Sequence, residues 1–288
     1  MRRLVCHIGT HKTASTSFQR ICRSFKEDLK NHQIYYPDLI DYPQLNNHAP
    51  IAWLLDACDY CKLQTYLDEL FQREDSKNCD TTLLSSEDLE NILINHQMLD
   101  KLIHCAEANG FDAIELAVVS LKPLVYLETA YKQMSRHGAV LNYVDIALSS
   151  ARTGYFCATT PQHNYQFAIR ALDLAKNLSK KYPQIKIYHF TFEKFIQGFP
   201  GKTLIDAIAG QKLSDHISSC NPEQIYAKRP EAENDDLLIE IQYAANCVGV
   251  DFSLIDKSAP IDQLIRDIAK KRITNTEQAR LLAMKLFA

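Results

Sequence analysis

The sequence predicts an α/β protein with a mostly parallel sheet of about five strands and helices on both faces. Short apolar runs rich in β-branched residues alternate with longer helical patterns, which is the order that βαβ units produce. One run, "ELAVVSL", is apolar along nearly its whole length, as expected of a strand buried on both faces. The first run ends at a glycine that is followed by hydroxyl residues and a helical pattern. Proteins of this class build phosphate-binding turns in that order.

The predicted elements follow one another along the chain. Strands are predicted at residues 3–8, 34–36, 81–85, 114–121 and 185–190. Helices are predicted at residues 15–30, 49–57, 63–73, 97–108, 124–135, 139–152 and 165–181, with a loop at 154–164. After residue 190 the pattern predicts only helices, near 202–209, 235–248 and 261–288. The simplest organisation is a single domain over 1–288, with an α/β core at 1–200 and a helical C-terminal cap at 201–288.

Composition excludes several classes of protein. The formal net charge of -3 gives no basic excess for nucleic acid. No apolar run approaches the roughly 20 residues of a membrane span, and none suits a signal peptide. Nine scattered cysteines do not form a disulfide framework, and "CDYC" lacks the second pair that a zinc site needs. With no HxxxH or HExxH either, we expect a cytoplasmic protein that has reduced thiols and no metal site.

The turn after the first strand is not a triphosphate-binding loop. Such a loop reads GxxxxGK[ST]. With Gly9 at its first glycine, Ala14 takes the second glycine position and Ser15 takes the lysine position, followed by Thr16. The lysine is missing, and Lys12 lies before the tight turn instead. Amides at the start of the helix still predict an anion site, together with the hydroxyls of Thr13, Ser15, Thr16 and Ser17.

The stretch "HIGTHKTASTSFQ" resembles the 5′-phosphosulfate loop of PAPS-dependent sulfotransferases, in particular the bacterial type with a loop close to HxGxHKTGTTSxQ. The resemblance implies a P-loop NTPase-like three-layer α/β/α fold. It also implies PAPS as donor co-substrate, without a metal. Lys12 would stabilise the leaving 5′-phosphate oxygen. The other donor-binding residues implied at this loop are His11, Thr13, Ala14, Ser15, Thr16 and Ser17.

Two residues are candidates for the general base. Glu87 follows a predicted strand in "TTLLSSEDLEN", and ligands meet open α/β sheets at the carboxyl ends of strands. Sulfotransferases place a histidine or a glutamate at this kind of position. His48, in "NNHAPIAW", is the second candidate. Alternatively, Ser86 caps a helix with Asp88 and Glu90 in its first turn, and His48 merely starts a helix.

The 3′-phosphate end of the donor matches the family less well. Sulfotransferases bind this phosphate with an arginine at a strand end and a serine eight residues later. Here Leu121 takes the arginine position and Thr129 the serine position. Lys122 could supply a point charge, but without the guanidinium fork. A basic loop containing Arg229 is a further candidate, with an ordinary solvated turn as its alternative.

Three functions follow from these patterns. The first is a sulfotransferase that moves the sulfuryl group to a hydroxyl or amine acceptor, such as a carbohydrate, a lipid or a small metabolite. Helical segments at 49–73 and 139–152 would select that acceptor. The second is a non-catalytic binding protein on a diverged sulfotransferase frame, indicated by Ala14 and Leu121. The third, less favoured, is a P-loop kinase, which would need a lysine at position 15. No nucleic acid partner is expected, and the sequence does not indicate the oligomeric state.

Overall fold

A computed structural model describes residues 1–39, 41–42, 44–137, 139, 141–159, 164–220, 222, 239–241, 243, 245 and 260–287. The strands are β1 (Arg3–Gly9), β2 (Ile34–Tyr35), β3 (Thr81–Ser85), β4 (Ala113–Ser120), β5 (Phe156–Thr159), β6 (Asn164–Phe167) and β7 (Lys186–Thr191). The first helices are α1 (Ser15–Ser24), α2 (Lys26–Asn31), α3 (Ala49–Asp56), α4 (Tyr60–Phe71), α5 (Glu74–Lys77) and α6 (His96–Ala108). They are followed by α7 (Pro123–Arg136), α8 (Tyr143–Thr153), α9 (Ala171–Lys181), α10 (Phe192–Phe195), α11 (Lys202–Ala209), α12 (Gln211–Ser219) and α13 (Pro260–Phe287). A 3₁₀ helix covers Asp88–Leu93.

The five predicted strands form one sheet in the order β2-β3-β1-β4-β7. Every pairing in this sheet is parallel. β1 lies at its centre, where Val5 is opposite Leu83 of β3 and Glu115 of β4. The predicted class is therefore confirmed as a three-layer α/β/α fold on a mostly parallel sheet of five strands, with a helical C-terminal part.

Burial on both faces of the central strands produces the three layers. On one face, Val5 and Val119 belong to a buried apolar cluster with Phe18 of α1 and Leu204 of α11. The alternate β1 residues Leu4, Cys6 and Ile8 point to the opposite face and are also fully buried. Helix α9 packs against β4 and β7. Nearly continuous apolar runs are needed for this double burial, which explains why the strands could be recognised in the sequence.

The carboxyl ends of three neighbouring strands meet at one edge of the sheet. β3, β1 and β4 are adjacent, so the segments that follow Ser85, Gly9 and Ser120 leave the sheet side by side. These are the segments in which the sequence placed Glu87, the β1–α1 turn and Leu121. The topology therefore assembles the candidate site at the edge where open α/β sheets bind ligands.

The chain divides into two compact units. The first contains the sheet and comprises the described residues of 1–121 and 171–228. Helices α11 and α12 belong to it. The second comprises the described residues of 122–170 and 229–288. Within this second unit, α13 packs against α7 and α8, and the buried Glu240 carboxylate accepts a hydrogen bond from Arg272 at 2.7 Å.

A β-hairpin replaces part of a predicted loop and part of a predicted helix. β5 and β6 pair antiparallel in the second unit, so the loop prediction at 154–164 was wrong over β5, and the helix predicted at 165–181 begins only at Ala171. Phe156 is directly opposite Phe167, and their rings stack with centroids 4.9 Å apart. Cross-strand aromatic pairs of this kind stabilise a hairpin, and they form only when two separate segments meet.

The helices agree with the predictions more closely. The helix predicted at 15–30 is divided at Phe25, whose φ of -105° and ψ of 28° depart from helical values. Of the helix predicted at 235–248, the described residues 239–241, 243 and 245 are helical. Across the described part of the chain, no helix is both long enough and apolar enough to cross a bilayer.

Candidate active site

The turn between β1 and α1 is closed by its own hydrogen bonds. The amide and the hydroxyl of Thr13 both donate to the Thr10 carbonyl oxygen, at 3.2 and 2.5 Å. The Thr10 amide donates to the carbonyl oxygen of Val119 in β4, at 3.2 Å. Thr10 and Thr13 are fully buried. These bonds fix the turn to the sheet, so its amide groups have defined positions before any ligand arrives.

Left-handed backbone and an uncapped helix make this turn suitable for an anion. Lys12 and Ala14 have φ values of 68° and 60°. Ala14 is the N-cap residue of α1, and no side chain caps the helix. The N–H groups of Ser15, Thr16 and Ser17 therefore have no acceptor within the helix. These amides lie at the positive end of the helix dipole, which is the arrangement that binds phosphate in other proteins.

The predicted loop residues divide into two groups. The hydroxyls of Thr13 and Ser15 are buried and lie 3.3 Å apart, so they support the turn from within. Lys12 and Thr16 are exposed, and Ser17 is half-buried. An anion at the start of α1 would therefore meet the outer side chains and the amides, whereas the inner hydroxyls hold the backbone in place.

Gly9 is required for the close packing of the turn. A Cβ atom at Gly9 would lie 1.9 Å from the Ser15 Oγ atom and 3.1 Å from the Ser15 Cβ atom, so the buried Ser15 side chain would have to move. Ser15 is 2% exposed, and it occupies the position where a triphosphate loop carries its lysine. A buried small residue at this position argues against a kinase.

Replacing Ala14 with glycine is expected to raise the free energy of unfolding by about 1 kcal/mol, because a left-handed conformation costs a residue with a Cβ atom roughly that amount. Urea denaturation of the variant measures the change. Gln33→Gly is the matched control, since Gln33 has a φ of 63° outside the site and should gain a similar amount. A destabilised Ala14→Gly variant beside a stabilised Gln33→Gly variant would show that the turn is not left-handed at Ala14 in solution.

His7 lies beneath the turn and was not singled out from the sequence. Its Nδ1 atom is 2.8 Å from the Ser85 hydroxyl. Its ring stacks on Phe195, with centroids 5.1 Å apart, and contacts the edge of Phe18. Burial lowers the pKa of His7 to about 3, so the ring is neutral at physiological pH. His7 therefore supports the turn from below, and the signal in the sequence was one histidine inside an apolar run.

Glu87 lies beside α1. The Gln19 side-chain amide donates to a Glu87 carboxylate oxygen at 3.4 Å, which links the end of β3 to the helix that follows the turn. Glu87 is half-buried. The Ser86 hydroxyl accepts the Asp88 amide at 3.1 Å, although the N-cap residue of the 3₁₀ helix is Glu87. The hydrogen bond of Ser86 and a catalytic role of Glu87 are thus compatible in one segment.

A second carboxylate contacts the turn directly. Glu90 is fully buried, and its Oε2 atom accepts the amide N–H of His11 at 3.3 Å. Burial lowers the pKa of His11 below its usual value, against the opposing effect of the Asp88 and Glu87 carboxylates. At neutral pH the His11 ring is therefore uncharged. Lys12 is then the cationic side chain of the segment 9–17.

His48 is held by the backbone on both sides of its ring. The Nδ1 atom accepts the Ser85 amide at 2.9 Å, and the Nε2 atom donates to the Pro37 carbonyl oxygen at 3.0 Å. The residue is 1% exposed, and burial lowers its pKa to about 4. Both ring nitrogens are therefore occupied by backbone groups, and neither can take the proton of a substrate hydroxyl. The geometry favours Glu87 over His48 as the base.

The residues predicted for the 3′-phosphate do not all belong to the unit that contains the turn. Lys122 is exposed at the start of α7, and the Thr129 hydroxyl donates to the Val125 carbonyl oxygen at 2.7 Å within that helix. Both belong to the second unit. Leu121 follows β4 and is half-buried, whereas Arg229 is outside the described residues.

No cluster of metal ligands occurs among the residues that the structure describes. Cys58 and Cys61 of the "CDYC" segment are exposed free thiols. Cys61 lies in the first turn of α4, and the Asp59 side chain caps that helix. The segment therefore has a local structural role as the start of a helix.

Comparison with known proteins gives a distant likeness. No protein-family model matches the chain, and no curated protein matches it either. Among solved structures, the chain is similar to a sulfotransferase from Alicyclobacillus acidocaldarius, with 13% sequence identity and a TM-score of 0.39. The alignment covers 88% of this chain and 98% of that one. At this distance the likeness assigns no role to any residue.

Proposed function

We propose that this protein is a sulfotransferase that uses PAPS as its donor. One observation carries the proposal: the fixed, uncapped turn at the start of α1 has an exposed lysine on it and a half-buried carboxylate beside it. The turn offers amides for one phosphate group, and Lys12 precedes them. The lysine that would hold a longer phosphate chain is replaced by the buried Ser15. This combination suits a 5′-phosphate that carries one further group.

The amides of Ser15, Thr16 and Ser17 would hold the 5′-phosphate of the donor. This assignment needs no metal, because the charge on the phosphate is met by amides, hydroxyls and one ammonium group. Ala14 shapes the turn through its backbone, and the Thr13 hydroxyl keeps it closed. The assignment of the 3′-phosphate to Lys122, Thr129 and Arg229 stays a prediction from the sequence.

In the proposed reaction, the bond between sulfur and the bridging oxygen of the 5′-phosphate breaks as a bond forms between sulfur and the acceptor oxygen. Glu87 accepts the proton of the acceptor hydroxyl. Lys12 neutralises the negative charge that develops on the bridging oxygen. Adenosine 3′,5′-bisphosphate leaves with both electrons of the broken bond.

The proposal includes a cytoplasmic location and a small-molecule or glycan acceptor, with no nucleic acid partner. The described cysteines are all free thiols, which supports a reducing compartment. A non-catalytic binding protein is the second candidate, and Leu121 favours it, because a leucine cannot replace the guanidinium group that grips a phosphate. The kinase is disfavoured by the burial of Ser15.

Calorimetric titration with adenosine 3′,5′-bisphosphate tests the proposal. We expect saturable binding without added metal, and weaker binding of ATP in the presence of Mg²⁺. No heat at about 1 mM bisphosphate would reject the proposed function, since that limit corresponds to only about 4 kcal/mol of binding free energy. Tighter binding of Mg²⁺-ATP would favour a kinase. Binding without sulfuryl transfer would favour the non-catalytic protein.

A further inference from the structure

A groove in the first unit, between α3 and α4, has no role in the donor site. Its volume is about 690 Å³, which is within the usual range for pockets that bind small organic molecules. The groove combines aromatic rings with carboxylates. Its principal lining residues are Asp41, Tyr42, Trp53, Asp59, Tyr66 and Glu69.

The aromatic part of the groove is exposed to solvent. Trp53 is 50% exposed and Tyr42 37% exposed, and their rings meet at 86° with centroids 6.4 Å apart. The Trp53 indole N–H donates to the Asp88 carboxylate at 2.8 Å, so its polar atom is already bonded. The indole ring therefore offers the groove its π system, which is the best aromatic partner for a cation.

The charged part of the groove is negative. Three carboxylates and one ammonium group line it, which leaves a formal charge of −2. The ammonium group of Lys62 forms an ion pair with Asp59 at 2.7 Å. Asp41 and Glu69 are exposed, and neither has an ion pair within the described residues. The groove thus offers two carboxylates beside two exposed aromatic rings.

We propose that this groove binds a small organic cation that has an alkylammonium head group. Trp53 and Tyr42 would contact the head group by cation–π interaction, and Asp41 and Glu69 would balance its charge. Resting on the proposed function, the bound cation is also the sulfuryl acceptor, an amino alcohol. Trp53 donates a hydrogen bond to Asp88, the residue that follows Glu87 in the chain. One end of the groove therefore adjoins the proposed base.

Trp53 is the one tryptophan of the chain, so its fluorescence reports directly on the groove. We expect choline to change the emission saturably, and its neutral isostere 3,3-dimethyl-1-butanol to bind about tenfold more weakly or not at all. Equal affinity for the two compounds would overturn the proposal, because an apolar groove would then explain the binding. No saturable change up to about 100 mM choline would overturn it as well.

Substitution of one carboxylate tests the charge recognition. Glu69→Gln is expected to weaken choline binding about threefold or more, whereas Glu107→Gln, at an exposed position of α6 outside the groove, should leave it unchanged. Trp53→Leu, followed through the NMR signal of the choline methyl groups, should abolish binding. Unchanged affinity in both groove variants would reject the site.

Binding and transfer assays on the same protein samples distinguish a failure of the cation site from a failure of the proposed function. Choline binding without binding of adenosine 3′,5′-bisphosphate would retain the cation site and reject the transferase. Nucleotide binding and sulfuryl transfer to other acceptors, without choline binding, would retain the transferase and reject the cation site. Transfer of radiolabelled sulfate from PAPS to choline would support both.

Discussion

Glu87→Gln is expected to lower the rate of sulfuryl transfer by about 10²–10⁴-fold, which is the usual contribution of general-base catalysis. The substitution keeps the shape of the side chain, and the new amide oxygen can still accept the hydrogen bond from Gln19 that the carboxylate accepts at 3.4 Å. Affinity for adenosine 3′,5′-bisphosphate should therefore change less than twofold. The measurement uses radiolabelled PAPS with whichever of choline, glucosamine or 4-nitrophenol the wild type sulfates fastest.

His48→Asn is the comparison for this variant. His48 is buried and bonded to the backbone through both ring nitrogens. Its loss leaves the Ser85 amide and the Pro37 carbonyl without their partner, which costs about 1–3 kcal/mol each when such groups stay buried. We therefore expect a lower free energy of unfolding and a nearly unchanged rate in the folded fraction. If Glu87→Gln kept the full rate of sulfuryl transfer and folded His48→Asn lost it, His48 would be the base and Glu87 would not.

Lys12→Ala is expected to weaken binding of adenosine 3′,5′-bisphosphate about 10–100-fold, because a hydrogen bond between charged groups contributes about 1.5–3 kcal/mol. The side chain is exposed, and alanine keeps the Cβ atom, so the backbone of the turn should persist. Isothermal titration calorimetry at one ionic strength measures the effect, since such charge interactions are screened by salt.

Two control variants show whether the effect of Lys12→Ala depends on the charge and the position of the lysine. Lys12→Arg keeps the positive charge and should recover part of the affinity. Lys77→Ala removes an exposed lysine from α5, four residues before β3 begins, and should bind the bisphosphate as the wild type does. If Lys12→Ala and Lys77→Ala bind equally well, Lys12 does not contact the donor.

The local patterns of the sequence were sufficient for the fold. Double burial gave β1, β3 and β4 their continuous apolar runs, and each strand lies within a residue or two of its predicted bounds. The turn after Gly9 was also recognisable, because a small-residue turn between a strand and a helix is a local feature. The β5–β6 hairpin was missed, since its stabilising pair, Phe156 and Phe167, joins two separate segments.

The sequence predicted which residues belong to the candidate site, but not how their side chains are arranged. Lys12, Glu87 and His48 were all named from the sequence, with Glu87 as the first candidate base and His48 as the second. The geometry favours Glu87 over His48 through contacts between residues that are far apart in the sequence. His48 meets Ser85 across 37 residues, and Gln19 meets Glu87 across 68.

By itself the sequence determined the fold class and the small-residue turn after Gly9, because hydrophobic periodicity and turn chemistry act between near neighbours in the chain. The tertiary structure alone decided that Thr13 and Ser15 support the turn from within and that His48 is hydrogen-bonded on both sides of its ring. It also decided that Trp53 is exposed in a groove whose Asp41 and Glu69 carboxylates have no ion pair among the described residues. Each of these depends on which distant segments pack together, and packing decides whether a polar group is buried and bonded or left available to a ligand.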